Sequence, residues 1–130
     1  MNIWDELTLE QFSVMFTAAE QAFLNNVLHE YGMRRKWQTT GDTTSSSDLD
    51  EDGMRLLIPR FAEVVSDLVR RGWIRLYESG WVDIDYATPL TAGQVQDAVN
   101  DPDSWLMDED GGRRMVMMMT TDEWDRLAAR

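Results

Sequence analysis

Cysteine is absent from this 130-residue chain, which removes disulfides, thiolate nucleophiles and cysteine-bound zinc or iron–sulfur centres from consideration. Histidine occurs once, at His29, so any serine–histidine or histidine-ligated metal mechanism would have to run through that position. Bases are scarce: 12 Lys and Arg stand against 24 Asp and Glu, a formal charge of −12. A field of that sign repels phosphate backbones and anionic lipid and attracts basic partners, although acidity also serves plain solubility. No stretch approaches about 18 consecutive apolar residues, so no membrane-spanning helix is expected. Residues 1–6 carry Asp5 and Glu6 where a secretory leader would carry bases, so a cytoplasmic protein is the default expectation. Gly-x-Ser-x-Gly, Walker A and Gly-x-Gly-x-x-Gly patterns are also missing. Catalysis, a cofactor and a metal centre are therefore not expected.

What is present can build one core. Hydrophobic residues make up 43% of the chain, including 6 Trp and 9 Met, enough for a single folded domain. Thr8-Leu9-Glu10-Gln11 fits a capping box, and Phe12, Phe16, Ala19, Phe23 and Val27 follow at helical spacing. The spacing predicts one long helix over about 8–31, stopped by Gly32, with His29 and then Arg34, Arg35 and Lys36 complementing its C-terminal dipole. Residues 38–53 are rich in Ser, Thr and Asp and read as a flexible acidic loop. A second helix is expected from Ile58-Pro59 to Arg70-Arg71-Gly72, with Pro59 in its first turn.

Alternating patterns come next. Residues 74–76 and 82–86 predict a hairpin around Glu78-Ser79-Gly80. Thr91-Ala92-Gly93-Gln94 opens a short helix over about 92–100. Residues 105–107 and 115–119 predict paired strands around Asp110-Gly111-Gly112, and Thr121 caps a last helix. In an alternating strand Met115, Met117 and Met119 share one face and Val116 and Met118 the other, which would leave one thioether face outward. The fold class expected is α+β: a long N-terminal helix, then a helix-and-hairpin core.

Asp48-Leu49-Asp50-Glu51-Asp52-Gly53 reproduces the first six positions of a calcium-binding EF-hand loop. The twelfth position, which should close the site with Glu, is Pro59, so a solvated acidic loop is the better reading. The second acidic stretch is Asp101, Asp103, Asp108, Glu109 and Asp110, with Trp105 set among them. An aromatic ringed by acids has the form of an interface anchor, and core packing is the alternative for Trp105. Charge is unevenly placed: residues 1–31 hold five acids and residues 87–110 six, neither with a Lys or Arg. Intramolecular pairing is the plain reading of the basic clusters 34–36, 70–75 and 113–114, and the overall negative field opposes a local RNA-binding patch.

Two stretches carry a family likeness. Residues 64–74, Val-Val-Ser-Asp-Leu-Val-Arg-Arg-Gly-Trp-Ile, resemble the helix ending of winged-helix domains. Residues 116–124, Val-Met-Met-Met-Thr-Thr-Asp-Glu-Trp, are similar to the strand-into-helix that follows the wing in MarR-like regulators. Over residues 58–130 the resemblance implies a winged-helix core and, with it, a DNA-reading helix near 92–100. That segment carries no Lys or Arg, so DNA contact through it is not expected. In size and charge the chain also resembles the small acidic immunity proteins of bacterial toxin–immunity pairs. That likeness implies a basic protein partner, possible targets including a nuclease toxin domain. The binding residues expected are Asp48, Asp50, Glu51, Asp52, Asp101, Asp103, Trp105, Asp108, Glu109 and Asp110. A transcriptional regulator or adaptor and a DNA-mimic inhibitor are the alternatives, and the oligomeric state is left open.

Overall fold

The computed structural model describes residues 2–44, 46–78, 88–108 and 111–129, with the backbone alone described at Asp108, Gly111 and Gly112. Its helices are α1 (Leu9–Ala19), α2 (Leu24–Thr40), α3 (Glu51–Arg70), α4 (Ala92–Val99) and α5 (Asp122–Ala128). Its strands are β1 (Ile74–Glu78), β2 (Met107–Asp108), β3 (Gly111–Gly112) and β4 (Val116–Thr120), and 3-10 turns occupy Ile3–Glu6 and Pro102–Ser104. The α+β expectation holds. Among the described residues no helix is long and apolar enough to cross a membrane.

The long N-terminal helix is two helices. The Thr8 capping box forms as expected, with the Gln11 amide donating to Thr8 Oγ1 at 3.1 Å and the Thr8 amide donating to Gln11 Oε1 at 2.9 Å. The helix then closes after Ala19 in a Schellman pattern: the Ala22 amide donates to Thr17 O and the Gln21 amide to Ala18 O. Gln21 takes the left-handed conformation, φ 55°, where glycine is the usual residue. Tertiary contacts hold that corner. Ala22 O accepts from the Met118 amide at 2.9 Å, and Phe23 forms a β-bridge with Met117.

Gly32 does not stop a helix. It lies buried inside α2, where a Cβ would collide with the Ser47 hydroxyl and the Leu49 side chain. The glycine is there for space, and the stop is Gly41, whose φ of 74° suits it to the C-cap. Arg34, Arg35 and Lys36 thus sit within α2 rather than beyond its end. His29 is exposed near the middle of the helix, so its reading as a C-terminal dipole partner is also corrected.

α3 begins at Glu51, earlier than Ile58, because Asp50 Oδ1 accepts from the Gly53 amide at 2.8 Å and caps it. Residues 38–40 and 51–53 of the expected loop therefore belong to α2 and α3. Pro59 sits inside α3, where the missing N–H costs about 3 kcal/mol. Burial of Ile58, Phe61, Ala62, Val65 and Leu68 on one face offsets it.

β1 pairs antiparallel with β4, Ile74 opposite Thr120 and Glu78 opposite Val116. The pairing expected for residues 115–119 was with 105–107; those residues instead leave the second 3-10 turn and enter β2, which pairs with β3. The expected strand 82–86 lies outside the described residues. α1 and α2 pack over β4, so Val116, Met117 and Met118 are all buried and no thioether face stands free along the strand's centre. Met115 accepts from Asn25 Nδ2 at 3.4 Å. α4 and α5 form as expected, capped by Thr91 and Thr121.

Candidate functional site

The two acidic stretches do not present a row of free carboxylates. In the first, Asp48 pairs with Lys36 at 2.8 Å, Asp50 is the α3 cap, and Glu51 meets Arg55 at 3.6 Å. Asp52 is exposed and has no cation partner among the described residues. In the second, Asp101 accepts from the Asp103 amide and pairs with Arg114 at 3.1 Å, while Asp103 meets Arg113 at 3.5 Å. Asp108 is described by its β2 backbone only, and Glu109 and Asp110 lie outside the described residues.

Trp105 is not an interface anchor. It is 1% exposed, its Nε1–H donates to Val99 O at 2.8 Å, and its ring lies edge-on to Phe61. Burying an indole demands a partner for its one donor, and the end of α4 supplies it. The core alternative for this residue is the one the structure realises.

Arg114 organises the surroundings of Asp101. Its Nε and Nη2 reach Glu78 at 2.5 and 3.3 Å, Nη2 reaches Asp97 at 3.1 Å and Nη1 reaches Asp101 at 3.1 Å. One guanidinium thus ties the end of β1, α4 and the second 3-10 turn together. Hydrogen bonding to Glu78, opposed by burial and reinforced by Asp101 and Asp97, raises the Arg114 pKa above its ordinary value. Its five fixed donors suit this planar, divergent set of carboxylates.

A different chemistry gathers at the other end of the chain. Arg34 lies with its guanidinium carbon 4.7 Å from the Phe12 ring centre, 4.4 Å from Phe16 and 5.5 Å from Trp37, and its Nε donates to Glu30 at 2.6 Å. The arrangement follows from helix geometry: Glu30, Arg34 and Trp37 rise along one face of α2, and Phe12 and Phe16 along the facing side of α1. Trp4 extends the aromatic row, 5.2 Å from Phe12, and stands against Trp124 of α5 at 5.1 Å. Leu7, Leu9, Phe12, Arg34, Trp37 and Gln38 line an open groove of about 330 Å³. Leu7, Leu9, Phe12 and Trp37 are all half-buried.

The sequence pointed elsewhere because Phe12 and Phe16 carry the same four-residue spacing as any core stripe. The available signal was the absence of a base within residues 1–31 next to a base-bearing run at 34–36. A larger groove of about 750 Å³ lies between α3 and α4, but its lining is mostly polar, including Arg60, Glu63, Asp67, Gln96 and Asn100.

Charge pairing sorts the molecule. Arg34, Lys36, Arg55, Arg60, Arg70, Arg71, Arg113, Arg114 and Arg126 each have an acidic partner. Asp5, Glu6, Glu20, Asp50, Asp52, Glu63, Asp122 and Asp125 have no cation partner among the described residues, Asp50 being engaged as the α3 cap. The basic clusters therefore act mainly within the molecule, and the excess negative charge faces outward. Compared with protein-family models, curated proteins and solved structures, the chain gives no significant match.

Proposed function

We propose that this chain is a non-enzymatic binding protein that covers a basic surface on another protein, in the manner of an immunity or inhibitor protein. The observation that carries this reading is the asymmetry of pairing: the described bases are nearly all engaged inside the fold while eight described acids have no cation partner. An outward field of that kind captures cationic partners quickly and loses its pull as salt rises. A nuclease toxin domain, whose own surface must be basic to hold nucleic acid, is the class of target such a field fits.

The regulator alternative draws little support from the helix that would read DNA. α4 exposes Gln94, Gln96, Asp97 and Asn100 and presents no base. The test is to recover the partner by affinity capture from the source cell and measure association between low and high salt. An association rate falling by about tenfold or more is expected. A salt-insensitive rate, or retarded duplex DNA with no protein partner, would overturn the reading.

A further inference from the structure

We infer that the groove between α1 and α2 is the docking site for one apolar or aromatic side chain carried on a Lys/Arg-rich polypeptide segment. This rests on the binding-protein reading and locates it. The groove floor is built from Leu7, Leu9, Phe12, Arg34 and Trp37, and Trp37 and Arg34 are of the residue types that most often dominate binding energy at an interface. Arg34 is already neutralised by Glu30 and flattened against rings, so it offers a stacking plane rather than a free charge.

Charge complementarity settles the occupant. Asp5 and Glu6 immediately precede Leu7, are exposed and lack cation partners among the described residues. Glu10 is half-buried on α1 and reaches Arg60, and residues 1–31 contain no base. An apolar groove with such a rim favours a cationic segment around the anchor. A second copy of this chain is disfavoured, because it would bring −12 against −12.

The probe is a synthetic amphipathic peptide of Lys, Leu and Trp, its binding to the full chain followed by fluorescence anisotropy at physiological salt. Its Lys→Glu counterpart and polylysine are the comparisons. The expected result is saturable binding of the Lys/Leu/Trp peptide alone, weakened about tenfold by Trp37→Ala. Gln38→Lys, an exposed change at the groove rim that spares the packing, is expected to weaken it about threefold, and Leu56→Ala, at an uncharged position 83% exposed on α3, to leave it unchanged. Circular dichroism confirms that each variant is folded.

Equal binding by wild type and both groove variants would overturn the groove and leave general capture of basic partners intact. Failure of every basic peptide to bind would overturn both readings. A wild-type dimer in sedimentation that Trp37→Ala dissolves would make a second copy the occupant and overturn the cationic one.

Discussion

Arg34 and Arg114 have side chains of the same exposure, 20% each, in opposite surroundings. Arg114 is held by three carboxylates from three separate elements, and its hydrogen-bonding donors are largely taken up within the fold. Arg34 meets one carboxylate, from its own helix, and otherwise lies among rings whose outer parts remain open to solvent. The difference separates a charge used to fasten the fold from a charge used to shape a surface. It also shows that net acidity is a poor guide to a binding face: the 101–103 acids are engaged inside the molecule, and uncompensated acid lies beside the aromatic groove.

The strongest way to break the contrast is to cut what joins its two halves. Tyr31 of α2 meets Phe61 of α3 at 5.0 Å, and Phe61 meets Trp105 at 6.3 Å, an aromatic chain running from the groove's helix to the Arg114 region. Trp105→Ala should cost about 3–5 kcal/mol in urea unfolding and loosen both regions together. A loss below about 1 kcal/mol would mean that the halves are held independently.

Paired substitutions sharpen it next. Arg114→Met should cost about 1–3 kcal/mol, because three carboxylates lose their shared counter-charge, and the deficit should shrink as salt screens their repulsion. Arg34→Met keeps apolar bulk over the rings and should cost about 0.5–1.5 kcal/mol with little salt dependence. Matching salt slopes for the two would erase the distinction. The pH dependence has a definite sign. A base whose pKa is raised on folding contributes stability below its unfolded pKa, and Arg114 loses that contribution only at pH values above the ordinary arginine range. The difference between wild type and Arg114→Met should therefore persist from roughly pH 7 to pH 10.

The smallest effects should be alike on both sides. Thr8 caps α1 beside the groove and Thr91 caps α4 beside Arg114, each in a complete capping box. Replacing either by Ala should cost about 1 kcal/mol, measured by thermal unfolding. A much larger loss at Thr8 would show that the groove depends on α1 registration as well as on its own side chains.

Local rules were legible where a residue acts on its neighbours in sequence. Thr8, Thr91 and Thr121 announced helix starts through capping patterns, and the missing cysteine excluded whole chemistries. All of these depend on spacings of a few residues. The absence of any base in residues 1–31 was equally legible, although its meaning waited on knowing what lay beside it.

Tertiary structure decided the rest, for reasons that no local window contains. Gln21 ends α1 without a glycine because β4 binds Ala22 and Phe23 and holds the corner. Gly32 lies inside α2 as a packing glycine, because Ser47 and Leu49 fill the space a Cβ would take. Trp105 is core because α4 offers a carbonyl to its indole, and Met117 is covered on the face expected to be open because α1 and α2 cross β4. Composition set the sign of the charge, but only the fold could decide which acids meet an arginine and which face solvent, since ion pairing joins residues as far apart in sequence as Glu10 and Arg60.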